Sequence, residues 1–95
     1  GAAEPGGDGV GGGVGPGRDR GAAVLDADAG PYVAYVESGG RAAAAGLPRN
    51  VVMTRLDDTR IESPADVVQH LSAASGPVLV EVQRRDGTPA FYEIE

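Results

Sequence analysis

The chain has 95 residues, a net charge of −6 and no cysteine, and its eight basic residues are all arginines. Such a length allows one domain with a single thin core, which argues against a multi-step enzyme with a large enclosed pocket. An acidic chain without a basic cluster is a poor nucleic-acid binder. Without cysteine there is no disulfide framework and no thiolate metal site, although this leaves the compartment open. No apolar run approaches the roughly 20 residues that span a bilayer, so we expect no membrane insertion of this segment.

Residues 1–20 hold most of the glycine and almost nothing that could form a core. Ordering them would cost backbone entropy with little burial in return, so we predict a flexible linker or tail over 1–20 and one domain over 21–95. The stretch "GVGGGVGPG" lacks the strand and helix of a dinucleotide site and the Gly-Lys-Ser/Thr of a phosphate loop. We therefore expect no cofactor.

Four elements are predicted in the first half of the domain. Two strands, Ala22–Ala27 and residues 32–37, flank a turn, and their apolar, β-branched and aromatic content is typical of a sheet. Residues 41–45, "RAAAA", predict a helix of barely one turn, ended by the glycine and proline that follow. Residues 51–56 predict the next strand, followed by a turn at "DDTR" and the isolated apolar Ile61.

The clearest local signal is "SPADVVQHLSAASG", which predicts a helix of about eleven residues. Ser63 is placed as its N-cap, Pro64 as its first residue and Asp66 as the partner in a capping box. Val67, Val68 and Leu71 form one apolar stripe.

The chain then closes with a hairpin, in which Val78, Val80 and Val82 alternate to one side before a turn at "DG". The fold class is therefore α+β and mainly β, with one short and one longer helix.

No constellation of side chains indicates catalysis or a metal site. His70 is the single candidate base, and on the predicted helix it lies away from the Val67/Leu71 stripe, which favours a solvated histidine. The pair Asp57 and Asp58 is more simply a turn than a metal site. We expect no enzyme within this chain and no bound metal.

The stretch "ESGGRAAAAGLPRNVVMTRLDDTRIESPADVVQHL" resembles the central part of a bacterial PDZ domain. In that family a Gly-Ser-Pro-Ala-Ala-x-Ala-Gly-Leu segment precedes a strand, a turn and a helix led by Ser-Pro. The similarity covers 21–95 and is closest to the PDZ domains of high-temperature-requirement (HtrA-type) serine proteases. It implies a five- to six-stranded, partly open β-barrel or sandwich capped by the two helices.

The resemblance also implies peptide capture by strand addition between the second strand and the second helix of the family fold. The loop that would hold a ligand's carboxylate corresponds to "DRGA". Carried over residue by residue, the peptide-binding residues are Arg20, Gly21, Ala22, Ala23, Val24, Leu25, Pro64, Val68 and Leu71.

The loop departs from the family pattern, in which large apolar residues wall the ligand pocket. Here Asp19 and Arg20 precede Gly21 and Ala22. Arg20 either pairs with a ligand carboxylate directly or belongs to the solvated end of the linker, and the sequence leaves both open. His70 lies too late in the helix to be the family's specificity histidine.

The leading functional expectation is a peptide-binding domain that regulates an extracytoplasmic serine protease or recognises its substrates. Its partners would be apolar C-termini and the parent protease domain, its compartment the periplasm, cell envelope or exterior, and it would be monomeric in isolation. The alternative is a docking or assembly domain of an envelope or secretion complex, whose groove is unused or filled by the glycine-rich tail. A third hypothesis is an independent hydrolase that uses His70. It would require that this chain by itself has an activity that depends on His70.

Overall fold

The computed structural model describes residues 17–95, which form one antiparallel sheet and two helices. Residues 1–16, most of the predicted linker, lie outside the described part. Numbered in chain order, the elements are β1 (Gly17–Asp19), β2 (Ala22–Ala27), β3 (Gly30–Val36), α1 (Arg41–Ala44), β4 (Val52–Leu56), β5 (Thr59–Arg60), α2 (Pro64–Ala73), β6 (Val78–Gln83) and β7 (Pro89–Ile94).

The strands lie in the order β1-β2-β3-β4-β6-β7, with β5 beside β4, and the sheet does not close on itself. The mainly-β, α+β class with one short and one longer helix is confirmed. Residues 17–95 contain seven strands where five to six were expected. The main addition is β1, because residues 17–20 were predicted as linker and instead form a strand and a turn.

The core lies on the sheet face that the helices cover. Val78, Val80 and Val82 are fully buried, which confirms the alternation predicted for the closing hairpin. The apolar stripe predicted on α2 is only partly buried in the core: Val67 and Leu71 are buried, whereas Val68 is half-buried. All buried hydrophobic residues of the described chain lie between Ala22 and Ile94, so β1 adds no side chain to the core.

The start of α2 follows its sequence signal. The Ser63 hydroxyl accepts the Asp66 backbone N–H at 3.2 Å, and Pro64 is the first helical residue. The Asp66 carboxylate accepts the backbone N–H of Glu62 at 3.0 Å, one residue before the usual capping-box partner. The helix has ten residues, close to the predicted eleven, and none of the helices within 17–95 is long and apolar enough to cross a membrane.

Two of the two-residue turns between neighbouring strands have left-handed backbone at both positions. Arg20 and Gly21 join β1 to β2 with φ values of 50° and 82°, and Asp57 and Asp58 join β4 to β5 with 50° and 70°. Left-handed backbone at both positions is the geometry of a type I′ turn, which suits the twist of a hairpin. The turn predicted at the two aspartates is therefore confirmed, and the turn at Arg20 makes β1 and β2 a hairpin.

Candidate functional site

The groove predicted between β2 and α2 holds a segment of the chain itself. β1 runs antiparallel to β2, with Gly17 opposite Val24 and Asp19 opposite Ala22. α2 contacts both strands, so β1 lies between the edge of β2 and the helix. The part of β2 that was expected to pair with a peptide is thus paired with the chain's own backbone.

The predicted binding residues do not all present side chains to this groove. In β2, Ala22 and Val24 are buried in the core, whereas Ala23 and Leu25 are half-buried. On the helix, Pro64 and Leu71 are also buried. Val68 is the one residue among the three predicted on α2 that keeps partial exposure.

The contact between β1 and α2 is very close at Gly17. A Cβ atom built on Gly17 would lie 2.6 Å from Cγ2 of Val68 and 3.0 Å from the carbonyl oxygen of Pro64. Interiors are packed so tightly that neither distance leaves room for an added methyl group. The groove therefore has the width of a bare backbone at this point.

Arg20 fastens the hairpin turn to the far end of α2 and to the end of β7. Its Nη2 donates to the carbonyl oxygens of Leu71 and Ala74, at 3.1 and 3.0 Å. Its Nη1 lies 3.0 to 3.2 Å from the carbonyl oxygens of Gly76, Ile94 and Glu95. The last carbonyls of a helix lack partners within the helix and carry partial negative charge, so a guanidinium suits this place.

The interpretation of Arg20 as a solvated linker residue is wrong, because its side chain is only 7% exposed. The donors on Nη1 and Nη2 are occupied by carbonyl oxygens, and Asp19 Oδ1 lies 3.9 Å from Nε. In this conformation a peptide carboxylate would have to compete with those carbonyls for the guanidinium.

The backbone of the predicted carboxylate loop is also engaged. The carbonyl oxygen of Gly21 accepts the N–H of Glu37 at 2.7 Å, and that of Arg20 accepts the N–H of Ala42 at 2.9 Å. A Cβ on Gly21 would lie 3.1 Å from Cα of Gly40, so the turn packs backbone to backbone against the start of α1. Gly40 and the backbone N–H groups of Glu37 and Ala42 therefore hold the hairpin turn in place.

His70 is paired, which corrects its interpretation as a solvated side chain. Its Nε2 lies 3.2 Å from Oδ2 of Asp57, and Oδ1 of the same carboxylate accepts the backbone N–H of Leu79 at 2.9 Å. The Leu79 hydrogen bond, and after it the His70 hydrogen bond, lower the pKa of Asp57 below its ordinary value. The contact ties α2 to the β4–β5 turn and to β6.

The neighbours of His70 do not form a nucleophilic set around it. The hydroxyl of Ser72 donates to the carbonyl oxygen of Gln69. Across 17–95, no three or more histidine, aspartate or glutamate side chains gather as a metal site requires.

Two features of the site were not predicted from sequence: the strand at Gly17–Asp19 and the buried position of Arg20. A glycine-rich stretch carries no hydrophobic period, so it gave no strand signal. The dipeptide Arg20-Gly21 before a β-prone run was the only local sign of a hairpin turn.

Comparison with known proteins adds no family assignment: no family model matches the sequence, and no curated protein matches it significantly.

Proposed function

We propose that this domain is a PDZ-like module that binds extended peptide segments by strand addition between β2 and α2. The observation that supports the proposal is β1 itself, three residues that lie antiparallel on β2 and against α2. Main-chain hydrogen bonds provide the affinity in this binding mode and do not depend on the side chains of the ligand. A groove that accommodates one extended segment can therefore accommodate another.

Binding of a partner is then an exchange of strands. β1 is covalently attached, so its effective concentration at the groove is high, and a free peptide must displace it. The displaced pairing is short, because β1 spans three residues and contributes no side chain to the core. The domain is self-occluded in this conformation, and β1 is the segment that a ligand replaces.

The motifs that resemble HtrA-type PDZ domains support a finer proposal for the setting. In it, the domain regulates an extracytoplasmic serine protease or delivers substrates to it, and protein C-termini are its ligands. The chemistry of the parent would lie outside these residues. A single short strand contact of this kind has a micromolar dissociation constant, about −8 kcal/mol or weaker.

A titration followed residue by residue with NMR tests the proposal. The ligands are the hexapeptide "VGPGRD", copied from residues 14–19, and versions whose last residue is Val, Leu or Ala. The proteins are the intact chain and a chain that begins at Asp19, which keeps Arg20 and every core residue. We expect shifts at Ala22–Ala27 and on α2 around Val68, and at least tenfold tighter binding to the shortened chain.

Absence of shifts at millimolar peptide with both proteins, or shifts confined to other surfaces, would refute peptide capture at this groove. It would favour the second candidate, a docking or assembly domain whose groove is permanently filled by its own β1. The observation behind that candidate is the engagement of both terminal nitrogens of Arg20 and of the turn carbonyls. In that case removal of residues 1–18 changes stability without creating a binding site.

A further inference from the structure

We infer that the groove between β2 and α2 selects glycine at the position opposite Val24. Its ligands are therefore extended segments with a glycine there, and not segments that insert an apolar side chain against α2. The inference rests on the proposed function, since it specifies the ligand class of the same groove. It concerns this one register position and leaves the expectation of apolar C-termini to the titration described above.

The steric basis is the contact of Gly17 with two parts of α2 that cannot give way easily. One is Cγ2 of Val68, 2.6 Å from a Cβ built on Gly17, and valine in a helix strongly prefers a single rotamer. The other is the backbone carbonyl of Pro64, 3.0 Å away, in the first turn of the helix. The backbone of Gly17 is not in the left-handed region, so space rather than conformation demands glycine.

α2 is attached to the rest of the fold at two places, which oppose its movement away from β2. Arg20 binds its last carbonyls, and His70 is bonded to Asp57. A displacement of α2 large enough to admit a methyl group would strain both attachments, and overpacking of this kind is destabilising.

The next residue of β1 provides an internal contrast. Arg18 is exposed, whereas Gly17 and Asp19 are half-buried, as expected for alternation along a strand. A ligand residue opposite Ala23 therefore points to solvent and is free to vary. Selectivity for glycine is confined to one register position.

A pair of substitutions in the full chain tests the steric basis without any added ligand. We expect Gly17→Val to release β1, which raises hydrogen exchange at the amides of residues 17–24 at least tenfold. Arg18→Val, one residue along and facing solvent, leaves exchange there unchanged. Gly17→Ala also releases β1, and Val68→Ala in the same chain restores part of its protection, because it removes the clashing Cγ2 but leaves the Pro64 carbonyl in place.

Peptide binding to the full-length Gly17→Val chain tests the ligand class. We expect "VGPGRD" to bind, "VGPARD" to bind at least tenfold more weakly, and "VGPGVD" to bind as well as the first. When Val68→Ala is added to the protein, we expect the affinities for "VGPGRD" and "VGPARD" to differ only a few-fold.

The possible failures are distinguishable. Equal affinity for "VGPGRD" and "VGPARD", or retention of β1 in Gly17→Val, would overturn the glycine requirement while leaving strand addition intact. No binding of any of the three peptides refutes the proposed function and the ligand class with it. The exchange experiment within the chain then still measures the steric contact at Gly17.

Discussion

Arg20 connects more of the molecule than any other described side chain. Its guanidinium bonds the carbonyl oxygens of five residues, from the end of α2, the segment after it and the end of the chain. The chain places this cation at a helix C-terminus, where free carbonyls and the helix dipole both favour positive charge. The planar fork of five donors fits several carbonyls at once, which a lysine ammonium cannot do.

We predict that Arg20→Ala lowers the free energy of unfolding by about 2–4 kcal/mol, since several charge-assisted hydrogen bonds are lost and partly buried carbonyls lose their donor. Arg20→Lys should recover only part of this. Urea denaturation of the full chain measures the effect, and Arg18→Ala is the matched control, because that side chain is exposed and should stay within about 0.5 kcal/mol of wild type. An Arg20→Ala chain as stable as the control would contradict the structural role.

Residue-level roles differed in how well the sequence predicted them. Ser63 and Pro64 act within one helical turn of their own position, so their types alone predicted the cap. Arg20 acts on carbonyls more than fifty residues away. Nothing in its neighbourhood carries that information, because it depends on how the elements pack.

At the scale of elements, α2 is the wall of the groove, and Asp57 links that wall to the sheet. The carboxylate joins His70 of the helix to the backbone of β6. Because the hydrogen bonds from Leu79 and His70 favour the charged carboxylate, the pKa of Asp57 is lowered from its ordinary value of 3.8. A carboxyl group whose pKa is lower in the folded state stabilises the fold above its unfolded pKa.

We therefore predict that this contribution is fully present above about pH 5 and is lost as pH falls through the folded-state pKa of Asp57, below 3.8. Melting temperatures measured from pH 2 to pH 7 should fall less steeply on acidification in Asp57→Asn than in wild type. Asparagine keeps an acceptor and tolerates the left-handed turn.

Asp58→Asn is the control from the same turn, because Asp58 is exposed and has the same left-handed backbone. Asp86, whose pKa is lowered by hydrogen bonds from Thr88, supplies part of the remaining acid dependence in every variant. If the melting temperatures of wild type and Asp57→Asn fell in parallel on acidification, the stabilising role of the Asp57 carboxylate would be contradicted.

The strands that were predicted and the one that was missed differ in the interactions that stabilise them. β2 matches its predicted bounds, and β6 was recognised by alternating valines, because both bury side chains on one face. β1 buries no core side chain and exists through backbone pairing and its fit against α2. Pairing of that kind leaves no pattern in the strand's own residues.

At the scale of the whole molecule, the described chain consists of a core domain and a short strand attached to it. The residues of the core run from Ala22 to Ile94, and Arg20 belongs with them through its hydrogen bonds. β1 is outside this set. We therefore expect that the groove can be emptied without dismantling the fold.

We predict that a chain beginning at Asp19 still unfolds in a single cooperative transition and is less stable than the intact chain by less than about 2 kcal/mol, the scale of a few backbone hydrogen bonds. Thermal unfolding followed by circular dichroism and by the fluorescence of the three tyrosines tests this. If the two signals separate, or the shortened chain is unfolded, β1 is an integral part of the core.

The hydrogen bonds of Arg20 have a consequence for mechanical force. We expect tension on the N-terminal side of Gly17 to load the pairs between β1 and β2 one after another, so that the strand separates at low force. We expect the separation to stop at Arg20, where bonds to α2 and to the end of β7 share the load. Such a pull would expose the edge of β2 and leave the rest of the domain folded.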